Sequence, residues 1–284
     1  MTSRPHWPVV AIVGVGMIGG SIGKALKDRG LSGRVLGIGR SKASLGQALE
    51  AGCVTDVATD IAAVADADVV VVATSVGTIP ALLDAVDAVV RPGTPLTDAG
   101  STKASIVAGW EARRRSRRGR FVGSHPIAGS HRRGPGAADG DLFTGRVTVV
   151  TPAKATPRLD AEEIGGFWAA IGSTVFMMPP KDHDRILAGT SHAPHLIAAA
   201  LAAATPASAR PFTAGGWRDT TRIAAGDPEL WADILLDNAA AVAVAMSRFA
   251  AAAERLLTAV ERGDRRRLVE LLAGAKESRD ALGS

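Results

Sequence analysis

Gly14-Val15-Gly16-Met17-Ile18-Gly19 follows the apolar run Val9–Val13 directly and opens the helix-compatible stretch Ser21–Asp28. That order constrains the fold more than any other feature of the chain. The first glycine permits a tight turn out of a strand. The second lets a pyrophosphate approach the backbone, and the third lets helix and strand pack closely, with the helix N-terminus facing the phosphates. Gly14, Gly16 and Gly19 are therefore assigned to a dinucleotide, with Met17 and Ile18 beside it on the first helical turn. The alternation continues: Arg34–Ile38, Asp68–Ala73, Pro95–Thr97, Arg120–Val122 and Val147–Val150 read as strands, with helical stretches such as Ser44–Ala51 between. This pattern predicts an α/β fold, a Rossmann-like, doubly wound and mostly parallel sheet, followed by an all-helical second domain.

From Asp182 the pattern is almost wholly helical, in Asp182–Ala204, Arg218–Ala225, Pro228–Ala259 and Arg265–Ala281. The Pro-containing stretch Thr151–Pro157 offers the boundary. It gives a dinucleotide-binding domain over residues 1–154 and a mainly helical substrate-binding and dimerisation domain over residues 155–284. Asp160–Ile171 and Thr174–Met177, inside the second part, still have the pattern of a helix and a short strand. Helices this apolar, with small-residue faces at Ala198–Ala204 and Ala250–Ala253, predict a homodimer built through the helical domain.

With 46% hydrophobic and 21% charged residues, the chain has the composition of a soluble globular protein with a sizeable core. No apolar run approaches the ~18–20 residues of a membrane span, and the polar start has no signal-peptide core. The expected location is the cytoplasm, with no membrane partner. Cys53 is the single cysteine and reads as a buried, inert thiol. The net charge of +5 sits largely in Arg113–Arg120 and Arg262–Arg267. Neither stretch has interleaved aromatics, so both read as solvated surface rather than a nucleic-acid face.

The end of the second strand bears on the nucleotide. An NAD site usually has an acidic residue there, about 20 residues beyond the glycines, on the ribose 2′-hydroxyl. This chain has Gly39-Arg40-Ser41-Lys42. Without the carboxylate a 2′-phosphate is not repelled, and Arg40, Ser41 and Lys42 can bind it through charge-assisted hydrogen bonds. The pattern favours NADP and leaves NAD open. Thr74, after the strand Asp68–Ala73, borders the ribose, and Ser75 follows it.

Four further segments carry chemistry. Asp98-Ala99-Gly100-Ser101-Thr102-Lys103 follows a strand and so lies at the carboxyl edge of the sheet, where ligands collect. Lys103 either neutralises a carboxylate there or faces solvent. His125 follows Arg120–Val122 and precedes Pro126, which holds it extended. An ordinary histidine pKa near 6.5 lets it accept a proton at neutral pH. In Ser191-His192-Ala193-Pro194-His195 the histidine spacing raises a metal, with Asp182, His183 and Asp184 as nearby donors. No zincin-like pattern accompanies it, and no metal is expected. Trp217-Arg218-Asp219-Thr220-Thr221-Arg222 reads as a polar helix start on which Asp219 and Arg222 share a face.

Together these motifs resemble the prephenate and arogenate dehydrogenases of tyrosine biosynthesis, over about residues 8–240. The resemblance implies that His125, in Gly123-Ser124-His125-Pro126-Ile127-Ala128-Gly129, is the catalytic base. It implies that Ser101 lies between nicotinamide and substrate and helps orient that histidine. His195 would contact substrate with His192 in support, and Arg222 would hold a carboxylate, oriented by Asp219. The implied reaction is oxidative decarboxylation of prephenate to 4-hydroxyphenylpyruvate with NADP or NAD; arogenate is the alternative substrate. Many relatives carry an acidic residue after the His-Pro-Ile-Ala-Gly segment, where this chain has Ser130-His131-Arg132-Arg133. That basic loop, with His131 toward the substrate side chain, leans to a keto acid over the ammonium of arogenate. Ser101 paired with His125 argues against a β-hydroxyacid dehydrogenase or imine reductase. Intact His125, His195 and Arg222 argue against a non-catalytic NADP sensor.

Overall fold

A computed structural model describes residues 7–113, 116–129 and 132–281. His131, and with it the contact expected of its side chain, lies outside the described residues. Six strands form one parallel sheet: β1 (Val9–Val13), β2 (Arg34–Ile38), β3 (Asp56–Ala58), β4 (Val69–Val72), β5 (Pro95–Asp98) and β6 (Arg120–Phe121). Their spatial order is β3-β2-β1-β4-β5-β6. The direction of winding reverses between β1 and β4, so the crevice at their carboxyl ends is the switch point where dinucleotides bind.

Successive strand residues point to opposite faces. Val10, Ile12, Val69 and Val71 enter one core with Ile22 and Leu26 of α1 (Met17–Asp28) and Ala48 of α2 (Lys42–Glu50). Ala11, Val13, Val70 and Val72 enter a second core with Leu83 and Val86 of α3 (Ile79–Val89) and Ile106 of α4 (Ala104–Glu111). Four consecutive buried valines in β4 need a strand covered on both sides, and the sheet places it centrally.

After Val122 the chain changes partners. β7 (Gly123–Pro126) pairs antiparallel with β8 (Val147–Thr151), which pairs in parallel with β9 (Thr174–Met177). The crossover helix α5 (Arg158–Ala170) buries Phe167 and Trp168 in the first core. The α/β unit therefore runs to Met177, beyond the expected boundary at residue 154. Pro152–Pro157 is the loop between β8 and its crossover helix, and Pro157 caps α5 rather than separating domains. The architecture changes at Met178-Pro179-Pro180.

Beyond that point come α6 (Pro180–Leu187), a π-helical turn (Ala188–His192) and α7 (Ala193–Ala204), which run on as one helix of 25 residues. Then follow α8 (Gly215–Thr221), α9 (Pro228–Asp237), α10 (Ala239–Glu261) and α11 (Arg265–Asp280). The stretch expected as one helix over Pro228–Ala259 bends by 95° between α9 and α10. Asn238 leaves helical geometry at the bend, and its amide donates to the Asp184 carbonyl at 2.8 Å. The helix Pro180–Ala204 is long and apolar enough to cross a membrane by length and composition. It nevertheless carries His183, Asp184, His192 and His195, all buried, as a helix does when its polar face packs on protein.

Candidate active site

The glycine turn shows what each glycine is for. Gly14 has φ +95°, and a Cβ there would lie 2.6 Å from the Ala73 carbonyl oxygen. A Cβ on Gly19 would lie 2.0 Å from the Gly14 carbonyl oxygen, whereas nothing stands within 4 Å of one on Gly16. Packing thus demands glycine at two positions, and the third leaves open backbone. Gly16 caps α1 without a side-chain bond, so amides of the first turn remain available to an anion. A cavity of about 640 Å³ opens here, lined among others by Gly14, Gly16, Gly39, Arg40, Ser41 and Thr74. These residues fit the adenosine and pyrophosphate of a dinucleotide. Ser41 also caps α2, accepting the Ser44 amide at 3.2 Å. Lys42 lines a separate groove with Asp60. Met17 and Ile18 begin α1, half-buried, outside the cavity lining.

Across the carboxyl edge, β7 presents His125 in extended backbone, paired with Val149 of β8. His125 Nδ1 lies 2.9 Å from His183 Nε2, and His183 Nδ1 lies 2.7 Å from Asp184 Oδ1. The Asp184 carboxylate also accepts the amides of Lys103 and Ala104, both at 2.8 Å. A side chain of the helical unit therefore caps α4 of the nucleotide-binding unit. Beneath lies a wholly buried ion pair between Lys103 and Asp98. Asp98 further accepts the Gly100 amide at 2.9 Å and the Ser124 amide at 3.1 Å. The Ser124 hydroxyl donates to the Asp98 carbonyl at 2.5 Å and accepts from Trp168 Nε1 at 2.8 Å. Loop 98–103 and the strand of His125 are thereby fastened together.

Burial, reinforced by electrostatic repulsion from His183, Lys103 and His192, holds His125 well below the ordinary histidine value. It is neutral at physiological pH and carries a lone pair, as a base requires. Burial raises Asp184, but its bonds from His183 and the two amides outweigh this and keep it below the usual carboxylate value. His192 is pushed down to about 4, chiefly by burial. Its Nδ1 lies 3.2 Å from the Asn238 amide nitrogen. His195 stacks on Trp231 with ring centroids 3.6 Å apart and planes at 11°. Burial lowers His195, partly opposed by the Ile223 backbone, and its buried Nδ1 has no hydrogen-bond partner among the described residues. An unpartnered buried nitrogen of this kind suits a ligand. Gly226 permits the stack, since a Cβ there would lie 2.4 Å from Trp231 Nε1.

Comparison with known proteins fits this arrangement. Residues 22–177 match the family model described as prephenate dehydrogenase, nucleotide-binding domain, and residues 179–274 match prephenate dehydrogenase, dimerization domain. The chain belongs to the prephenate dehydrogenase family. A prephenate dehydrogenase of Bacillus subtilis is 33% identical over 96% of this chain and 76% of its own length. A cyclohexadienyl dehydrogenase of Zymomonas mobilis is 32% identical over 96% of this chain and 95% of its own. The solved prephenate dehydrogenase of A. aeolicus, in complex with hydroxyphenyl propionate and NAD+, superposes with a TM-score of 0.89 at 31% identity. That match covers 96% of this chain and 98% of the other.

Against the expectations for a prephenate dehydrogenase, the structure brings His125, His183, His192 and His195 onto neighbouring elements. It leaves others apart. Ser101 is half-buried and makes no hydrogen bond to His125 among the described residues, so another group orients that ring. Arg222 and Asp219 are exposed and form no ion pair with each other. Helix α8 ends at Thr221 and Arg222 starts a 3-10 turn, so the helical spacing expected to join them is broken. Lys103 neutralises Asp98. The sequence offers His183 and Asp184 only as metal donors, and among the described residues no metal-binding group of His, Cys, Asp or Glu forms. Nothing local in the sequence marks Asn238. The buried histidine-aspartate pair at a helix start, adjacent in sequence, was the available signal.

Proposed function

We propose that this chain is an NAD(P)-dependent prephenate dehydrogenase that converts prephenate to 4-hydroxyphenylpyruvate and carbon dioxide. The observation that carries the reading is His125, presented by β7 of the second sheet, held by His183 and kept neutral chiefly by burial. His125 takes the proton of the substrate C4 hydroxyl. Hydride leaves the same carbon, and the bound nicotinamide supplies its acceptor. Carbon dioxide then departs from C1 and the ring becomes aromatic, which makes the step effectively irreversible. His195 and Arg222 position the substrate's polar groups, and orientation by fixed groups accounts for much of the rate such sites provide. Gly14, Gly16, Arg40, Ser41 and Thr74 hold the nucleotide, and Ser101 borders the nicotinamide side.

Gly39 in place of a carboxylate, with Arg40 on the cavity wall, supports NADP as the preferred nucleotide. The basic loop supports prephenate over arogenate; within it Arg133 is ion-paired with Asp227, the cap of α9. Exposed Val244, Phe249, Leu257 and Val260 on α10 and Leu272 on α11 support a homodimer through the helical unit, as does the dimerization-domain match. The reading also keeps the chain in the cytoplasm, with Pro180–Ala204 as a core helix. Nucleotide reduction followed by absorbance, with prephenate and arogenate each against NADP and NAD, tests the activity and the choice of substrate and nucleotide. Prephenate turnover with NADP is expected. Turnover only of arogenate overturns the substrate choice, and no turnover in any of the four mixtures overturns the activity.

A further inference from the structure

We propose that His183 is a positioning residue for proton transfer: clamped between Asp184 and His125, it fixes His125 as the tautomer whose Nε2 carries the free lone pair. The consequence for turnover rests on the reading of His125 as the base that takes the substrate hydroxyl proton. The clamp follows from hydrogen-bond inventory. An ionised carboxylate is an acceptor only. Asp184, which already accepts two backbone amides, lies 2.7 Å from His183 Nδ1, so His183 Nδ1 donates. A singly protonated imidazole with its proton on Nδ1 has an acceptor at Nε2. The 2.9 Å contact between His183 Nε2 and His125 Nδ1 then allows one arrangement, in which His125 Nδ1 donates. Nε2 is the nitrogen left to accept. The two rings cross at 72° with centroids 5.1 Å apart, an edge contact of nitrogen to nitrogen rather than a stack.

No other described side chain does this. Ser101 has no bond to His125, and the Lys103 ammonium is committed to Asp98. His183 is wholly buried and Asp184 nearly so, and water does not compete for their bond. When the substrate O–H bond breaks, the proton forms a bond to His125 Nε2 and no other proton needs to move. The imidazolium strengthens its Nδ1–H bond to His183, and Asp184 stabilises the charge through His183 while remaining a carboxylate.

Nitrogen NMR of the intact chain with labelled histidines, His125 being assigned by His125→Asn, reads the tautomer directly, with and without NAD. In the wild type at neutral pH, His125 is expected to be protonated at Nδ1 and bare at Nε2. In His183→Leu the two tautomers mix, and kcat falls about 100-fold, in the range of a general-base contribution, while KM stays within about threefold. His183→Gln, whose carboxamide oxygen can accept from His125 Nδ1, restores the Nδ1 tautomer and most of kcat. His125 found protonated at Nε2 in the wild type overturns the clamp, as does unchanged tautomer and kcat in folded His183→Leu. Should His183→Leu fail to fold, the wild-type spectrum and His183→Gln decide. The expected tautomer in a protein that does not turn over prephenate would support the clamp and sink the proposed reaction.

Discussion

Asp184 Oδ2 accepts the Ala104 amide at 2.8 Å across the junction between the helical unit and the nucleotide-binding unit. With the Lys103 amide on Oδ1, one carboxylate satisfies two orphan donors at the start of α4, which has no side-chain cap of its own. Asp184→Ala is therefore expected to destabilise the chain by about 1–3 kcal/mol, the cost of leaving buried donors unmade. Asp184→Asn, which keeps an acceptor, should lose less. Thermal unfolding of both variants checks this, and equal midpoints for Asp184→Ala and the wild type would remove the cross-unit cap.

The Asp98–Lys103 pair makes a sharper demand, because both side chains are wholly buried. Removing one partner leaves an uncompensated charge in the interior. Lys103→Met should cost about 3–5 kcal/mol, and the double change with Asp98→Asn should recover part of it. Denaturant unfolding measures both. A double variant no more stable than Lys103→Met would show that the pair's charge balance is not what holds this loop.

Local signals account for what was legible in the sequence. The glycine spacing and the buried strand runs fix the sheet, because a parallel strand covered on both faces must be continuously apolar, as Val69–Val72 is. His125 was legible because Pro126 marks an extended segment there, but its place on β7 of a second sheet was not. The boundary was misplaced because prolines opening a crossover helix look like those of a linker, and only the β8–β9 pairing separates the two cases. The bend at Asn238 was hidden because tertiary bonds to Asp184 and His192 outweigh helix propensity there. The His125–His183–Asp184 chain joins residues 58 apart, and no local pattern encodes such a contact.

Gly16 and Gly19 predict opposite consequences for the same substitution. A Cβ at Gly16 meets no atom within 4 Å. Gly16→Ala should therefore change stability by no more than about 1 kcal/mol, yet weaken nucleotide binding at least tenfold by blocking approach to the backbone. At Gly19 the Cβ would lie 2.0 Å from a backbone oxygen, so α1 must move off β1. Gly19→Ala should lose stability by about 1–3 kcal/mol as well as binding. Calorimetric titration and thermal unfolding on the two variants separate the roles; a destabilised Gly16→Ala would place packing there too.

Half-buried His125, with buried His192 and His195, sets the acid sensitivity of the fold. His125, His192 and His195 all have folded values lowered below 6.5, His192 to about 4. Below that unfolded value the unfolded chain binds more protons, so their cost is absent above about pH 6.5 and grows as pH falls. The loss should be steepest between about pH 6.5 and about pH 4, and Asp184, also lowered, adds its own loss below its unfolded 3.8. Thermal midpoints across this window should fall monotonically, with a shallower slope in His192→Asn. A flat profile would mean that these rings are not neutral and buried together.

Arg40 is the cation on the wall of the nucleotide cavity, and no acidic side chain occupies the neighbouring position, Gly39. A charge-assisted hydrogen bond contributes about 1.5–3 kcal/mol, which corresponds to roughly 10–100-fold in affinity. Arg40→Ala should raise the KM for NADP by about that factor and leave the KM for NAD within about twofold, since NAD has no 2′-phosphate for the guanidinium to hold. Initial rates with saturating prephenate and each nucleotide in turn measure the split. Equal losses for the two nucleotides would assign Arg40 to the adenine or the shared phosphates and remove the basis for an NADP preference.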